Sequence, residues 1–315
     1  MLPRPNELTF FHNEMNYDFA KSIQGFDAIC GFVNDDFSYR VIEQLAEKEI
    51  KLIALRCAGF DNVDLKACQQ FGIKVVRVPS YSPSAIAEHA IGLLMCLNRK
   101  IHRAYIRTRD GNFSLDGLTG VTLRGKTIGI FGIGKIGQCF AQICKGLGME
   151  ILIYDKWQPP QSLLDEFGAT YVDQETLFRK SDILSLHCPL TKETQHIINK
   201  QSLDMMKNTI VIINTSRGAL INTEDIIEEL RQKRVAGLAI DVYENEKSLF
   251  FSDHSGKVLT DQNLMMLQSF PNVIITAHQA FLTEEALQQI CKVTLENIQN
   301  IKDGEECPNE VTIKQ

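Results

Sequence analysis

Residues 126–155 read KTIGIFGIGKIGQCFAQICKGLGMEILIYD, and their order decides the fold. An apolar run with β-branched residues at 127–131 leads straight into Gly132, Gly134 and Gly137, spaced as G-x-G-x-x-G. That pattern predicts a strand, a tight turn and a helix. Gly132 allows the turn, Gly134 lets the backbone approach a pyrophosphate, and Gly137 lets the helix lie close on the strand. The first helical amides then face the anion. Ile136, Phe140, Ile143 and Leu147 continue at helical spacing, and Gly148 stands where a left-handed cap would end the helix. Residues 151–154 form a second buried strand with Asp155 at its carboxyl end, where a carboxylate accepts both ribose hydroxyls of NAD and repels a 2′-phosphate. The unit is therefore expected to bind NAD rather than NADP.

The same strand–helix rhythm extends outward in both directions. Before it lie strand candidates at 8–11, 26–33, 51–55 and 74–78, with helices expected over 41–48, capped by Asp36 or Ser38, and over 62–71, stopped by Gly72. A long helix is expected over 84–109, apolar in its first half and basic in its second, and residues 79–83, bounded by Pro79 and Pro83, read as a hinge. Beyond it lie strands at 170–172, 183–186, 209–214, 235–240 and 273–276. Helices open at Asp173, near Asn222 or Thr223, and at Thr283, the last running to about Asp303. Such alternation predicts an α/β protein of doubly wound parallel sheets.

Composition narrows the function classes. At 315 residues the chain can form two domains, and 44% hydrophobic with 23% charged residues is the balance of an ordinary globular protein. A net charge of −6 without a basic cluster argues against a nucleic-acid surface. Nine cysteines, an odd count without C-x-x-C pairing, argue against a disulfide framework or a metal site and suit a reducing cytoplasm. No apolar run is long enough to span a bilayer, and the amino terminus lacks a signal pattern.

In open α/β sheets ligands bind beyond the carboxyl ends of the strands, so the residues at those exits carry the chemistry. Arg217, Asp241, Glu246 and His278 follow three successive late strands. Reduction of a 2-oxo acid needs a proton donor for the developing alkoxide, a cation for the carbonyl and carboxylate, and a group that tunes the donor. His278 suits the first role, Arg217 the second through its planar fork, and Glu246 the third by orienting the ring and favouring its protonated form. Ala58 and Gly59 can offer backbone N–H groups to a carboxylate, and Asp241 is placed toward the nicotinamide end. His12, His89, His102, His187, His196 and His254 are read as structural or solvated, and the cysteines as packing residues.

These residues resemble the D-2-hydroxyacid dehydrogenase family, and within it the fermentative D-lactate dehydrogenases. The resemblance rests on RCAGFDNVD (56–64), VPSYSPSAIAEHA (78–90), GIGKIG (132–137), NTSRG (214–218), DVYENE (241–246) and AHQAF (277–281). It implies that Arg217, Glu246 and His278 bind substrate, tune the acid/base and transfer the proton, with Glu246 rather than Glu244 as the partner. It further implies that Ala58, Gly59 and Tyr81 line the substrate side. Gly132, Gly134, Lys135, Ile136, Gly137, Asp155, Cys188, Pro189, Thr194, Thr215, Ser216 and Asp241 would contact NAD. The implied organisation is a flavodoxin-like substrate domain over residues 1–81, a Rossmann NAD-binding domain over 82–279 and a return to the substrate domain over 280–315, closing on the ligands. The implied assembly is a homodimer or higher homo-oligomer, with the helix from Ser84 contributing to the contact. The implied reaction is NAD-dependent interconversion of pyruvate and D-lactate. The alternatives are a bulkier D-2-hydroxy acid as substrate or a non-catalytic NAD-binding relative.

One departure bears on the fold. Relatives begin with a further βα unit before the segment matching residues 8–11, and this sequence lacks it. In a 2-1-3-4-5 sheet the missing strand would lie between those at 8–11 and 26–33. Three outcomes are expected from that gap: the strand at 8–11 shifts inward, it is left off the sheet, or the natural start lies upstream. A chain without the unit is expected to be less stable than its relatives.

Overall fold

The computed structural model describes residues 7–313, which form two compact units. One comprises the residues up to Tyr81 with those from Thr283 onward, and the other runs from Ser82 to Leu282.

The larger unit is built on seven parallel strands. They are β4 (Thr127–Phe131), β5 (Glu150–Tyr154), β6 (Ala169–Tyr171), β7 (Ile183–Leu186), β8 (Val211–Asn214), β9 (Gly237–Ile240) and β10 (Val273–Ile275). Their order is β10-β9-β8-β7-β4-β5-β6, so the winding reverses between β4 and β7. At that switch point the loops after the two strands diverge and leave room for a ligand. Parallel strands need both faces covered, and β4, β7 and β9 are accordingly almost all apolar. On one face Leu93, Leu94 and Leu97 pack with Ile128, Ile130, Phe140 and Ile153. On the other, Phe178, Leu184, Ile212, Leu220 and Leu238 pack together. Each fully buried aliphatic or aromatic side chain contributes about 1.5–3 kcal/mol.

The helix after the glycine loop, Lys135–Gly146, buries Gly137, Phe140, Ala141 and Cys144, one position round from the expected stripe. A Cβ on Gly137 would lie 2.2 Å from the Gly132 carbonyl oxygen, so the small-residue side of the helix must face the strand. Helix and loop are pressed together there.

The helix expected over 84–109 is two helices, Pro83–Arg99 and Ile101–Arg109, because Lys100 is left-handed with φ 53°. The break is held from outside: the Asn98 side chain exchanges two hydrogen bonds with the Val121 backbone, and Lys100 Nζ donates to the Thr119 carbonyl.

The smaller unit has three parallel strands, β1 (Ala28–Gly31), β2 (Leu52–Leu55) and β3 (Lys74–Val76), in the order β1-β2-β3. The Glu284–Asp303 helix packs Ile298 and Ile301 on Leu52, Ala54 and Val76. Val311 then donates to Val75, antiparallel to β3, and returns the chain to that sheet. Residues 8–11, expected as a strand, are irregular and largely exposed. Their apolar character is used differently: the Phe11 ring meets those of Phe19 and Phe26 edge-on at 5.2 and 5.8 Å.

Candidate active site

The exits of β8, β9 and β10 bring Arg217, Asp241, Glu246 and His278 together in the larger unit. Asn214 ends β8 fully buried, and its side chain donates to the Arg217 carbonyl and accepts from the Ser216 amide, which winds the NTSRG loop back on itself. Ser216 Oγ donates to the Leu186 carbonyl at the end of β7. A Cβ on Gly218 would lie 2.1 Å from the Tyr243 carbonyl carbon, so the Arg217 loop presses backbone to backbone on the loop that carries Glu246.

Glu246 Oε2 accepts from the Tyr243 amide at 2.9 Å, and Oε1 meets His278 Nδ1 at 2.7 Å. Both side chains are mostly buried, at 15% exposed for His278 and 19% for Glu246. A carboxylate only accepts, so the ring proton sits on Nδ1, and Nε2 is the nitrogen left to exchange a proton with a ligand. The Phe251 ring lies 5.8 Å from the imidazole, tilted by 42°.

Asp241 is fully buried. Its carboxylate accepts from Thr276 Oγ1 at 2.5 Å and from the Gln279 and Ala280 amides at 2.9 and 2.8 Å, while its carbonyl accepts from the His278 amide at 2.6 Å. Burial pushes this carboxyl up, but hydrogen bonds from His89, Thr276 and the two amides hold it below the usual carboxylate range. The turn that carries His278 wraps this carboxylate.

The dinucleotide side follows from the glycine loop. Gly132 has φ 99°, and a Cβ there would lie 2.8 Å from the Cys188 amide nitrogen, whereas a Cβ on Gly134 would meet nothing within 4 Å. Asp155 Oδ2 accepts from the Ile133 amide at 2.8 Å, fixing the carboxylate over the loop. Lys135 is exposed and Ile136 half-buried at the first turn of the helix. Thr194 donates to the Pro189 carbonyl at 2.7 Å and shapes that loop. Cys188 is buried, which pushes its thiol up to about 12 and keeps it neutral. Thr215 Oγ1 and His187 Nδ1 are buried without a partner, the kind of orphaned polar atom a ligand satisfies. An open glycine, an acidic residue at the end of β5 and an orphaned hydroxyl at the exit of β8 are the groups a dinucleotide requires, so the residues present fit NAD.

Ala58, Gly59 and Tyr81 belong to the other unit and are half-buried there. The Ala58 carbonyl accepts from Arg77 Nη1 at 2.7 Å. Of the histidines read as structural or solvated, His89 pairs with Thr276 and Asp241, and His196 with Glu244 at 2.5 Å. The position of His89 in the apolar half of its helix was the available signal. Among the described residues no group of side chains is arranged to hold a metal ion, and no helix is long and apolar enough to cross a membrane.

Comparison with known proteins supplies the class. The family model "D-isomer specific 2-hydroxyacid dehydrogenase, NAD binding domain" matches residues 91–280. The chain belongs to that family. It is 52% identical over 305 residues to the D-lactate dehydrogenase of Escherichia coli K12, covering 97% of this chain and 92% of that protein. The solved structure of the pyruvate reductase of Chlamydomonas reinhardtii is 44% identical with a TM-score of 0.89, covering 95% of this chain and 90% of that one. A D-lactate dehydrogenase from Aquifex aeolicus, complexed with NAD and lactic acid, is 32% identical with a TM-score of 0.83, covering 96% and 90%. The family is thus one of NAD-dependent oxidoreductases, in keeping with the glycine loop and Asp155.

Proposed function

We propose that this chain reduces pyruvate to D-lactate with NADH, and catalyses the reverse with NAD. The observation that carries the reading is the His278–Glu246 pair, 2.7 Å apart and mostly buried, one loop from Arg217. It is supported by relatives named D-lactate dehydrogenase at 52% identity and by the pyruvate reductase likeness.

Bound NADH supplies the hydride. Arg217 grips the carboxylate and polarises the carbonyl through its fork. Ala58, Gly59 and Tyr81 are assigned to the substrate by the resemblance of residues 56–64 and 78–90 to the family. His278 gives its Nε2 proton to the oxygen at C2 as negative charge develops there, and Glu246 holds Nδ1–H and stabilises the imidazolium before transfer. In the oxidative direction the same ring takes the hydroxyl proton. Gly134, Lys135, Ile136, Asp155, Cys188, Pro189, Thr194, Thr215 and Ser216 would hold the dinucleotide, with Asp155 suited to its ribose hydroxyls and the glycine loop to its pyrophosphate.

A second copy of the chain is the proposed partner. Ile101, Tyr105 and Ile106 on the Ile101–Arg109 helix, with Phe113 and Leu115 beyond it, expose apolar surface that a homodimer would cover. All nine cysteines are free thiols, in keeping with a cytoplasmic setting.

The test is loss of NADH absorbance when the purified chain is given pyruvate, with chiral analysis of the product. D-lactate is the expected product. L-lactate, or NADH binding without turnover of pyruvate or any bulkier 2-oxo acid, would overturn the reading.

A further inference from the structure

We propose that His89 is a positioning residue for His278, acting through Thr276 and Asp241, an inference that rests on the reading of His278 as the acid/base. Thr276 Oγ1 donates its only proton to Asp241 Oδ1 at 2.5 Å, because a carboxylate can only accept. Toward His89 Nε2, 3.1 Å away, the same hydroxyl can then only be an acceptor. His89 therefore carries its proton on Nε2, and that nitrogen also lies 3.5 Å from Asp241 Oδ1.

The chain of groups has a rigid end and a strained end. The rigid end is the Pro83–Arg99 helix, which buries Ala87, Ala90, Leu93 and Leu94 in the core around His89. The strained end is His278, whose φ of 52° is uncommon for a residue with a side chain. Asp241 is the fastener between them, accepting from Thr276 before the histidine, from His278 itself through its carbonyl, and from Gln279 and Ala280 after it. Donation from His89 fixes the Thr276 rotamer and steadies the buried charge on Asp241. Removing it frees the hydroxyl to rotate, and the turn loses one of the contacts that hold it left-handed. The imidazole then loses alignment with Glu246 and with the substrate oxygen, to which proton transfer is sensitive.

His89→Leu and His89→Gln are compared with the wild-type chain in kcat, NADH affinity and the downfield proton resonance of His278 Nδ1–H, assigned by its loss in His278→Gln. His89→Leu is expected to lower kcat about tenfold, with NADH affinity within about twofold of wild type and the resonance shifted or broadened. His89→Gln, which can place an N–H donor at the same reach, is expected to recover most of the loss. Wild-type kcat with an unmoved resonance in His89→Leu overturns the proposal, and so does a His89→Gln variant no better than His89→Leu. If His89→Leu does not fold, Thr276→Ser against Thr276→Val gives the same decision: serine keeps the relay and valine breaks it, so equal behaviour overturns it. An inactive wild-type chain would instead remove the functional reading, and the resonance would still decide whether His89 positions His278.

Discussion

Two histidine–carboxylate pairs grow from one loop, and the proposed function assigns proton transfer to only one of them. Glu244 and Glu246 are two residues apart; the first meets His196 Nε2 at 2.5 Å, the second His278 Nδ1 at 2.7 Å, and both histidines have φ 52°. The difference lies in what surrounds them. Glu244 spends its other oxygen on the Thr223 hydroxyl and amide, at the start of the Thr223–Arg231 helix, and the His196 backbone donates to Ala219. That pair ties three segments together. Glu246 spends its other oxygen on its own turn, and the His278 side chain is less exposed than that of His196, at 15% against 33%. A histidine–carboxylate contact alone does not mark an acid/base; the proposed assignment rests on the deeper burial of His278 and on the Arg217 loop pressed against the loop of Glu246.

The largest effect that can break this comparison is on the histidines. His278→Gln is expected to lower kcat about a thousandfold with NADH affinity retained, since a positioned general acid contributes about 10²–10⁴-fold. His196→Gln is expected to stay within about threefold of wild type by the same measure. Steady-state rates with fluorescence titration of NADH decide it, and a comparable loss of kcat in both would remove the distinction.

The carboxylates sharpen it at the next level down. Glu246→Gln is expected to cost about ten- to a hundredfold in kcat with little change in Tm, because its work is on the imidazolium. Glu244→Gln is expected to cost about 1–3 kcal/mol of stability, from loosened contacts to His196 and Thr223, with kcat nearly unchanged. For the comparison to stand, rate measurements must single out Glu246→Gln and thermal unfolding must single out Glu244→Gln.

How much of this was legible in the sequence varies with the range of the interaction. The seven strands of the larger unit were legible because each is a short apolar run with a polar exit, and the exits named the Arg217, Asp241, Glu246 and His278 loops. The choice of Glu246 over Glu244 came from family resemblance, not from the residues, since both stand in one acidic run. What escaped depends on tertiary contacts. His89 and its partner Thr276 are 187 residues apart, so its place in the apolar half of a helix points to burial but not to that partner. The break at Lys100 carries neither glycine nor proline, and is imposed by Asn98 and Lys100 gripping residues 119–121. Residues 8–11 read as a strand because β-strands and aromatic clusters share the same apolar residues, and the rings at 19 and 26 that Phe11 meets are not visible in the local pattern.

A third histidine sets the smallest and most specific prediction, because it has no carboxylate at all. His187 is buried, with Nε2 on Ser185 Oγ at 2.8 Å, and burial pulls its pKa from an ordinary 6.5 down to about 3. Between those values the unfolded chain binds a proton there that the folded chain refuses, so stability falls as the pH drops through that window, by at most about 1.4 kcal/mol per pH unit. The Glu244 carboxyl behaves otherwise. Burial raises it, but bonds from His196 and Thr223 bring it below the usual range, so its contribution is complete above the ordinary carboxylate value and is lost only as the pH falls through its lower folded value. Two onsets should therefore separate in a series of melting curves from pH 7 downward, His187 first and Glu244 later. His187→Asn, which cannot titrate, is expected to flatten the first, and Glu244→Gln the second. If His187→Asn left the early slope as steep as in wild type, the buried ring would have to be reached by protons in the folded state, and the neutral imidazole packed against the glycine loop would no longer explain its place there.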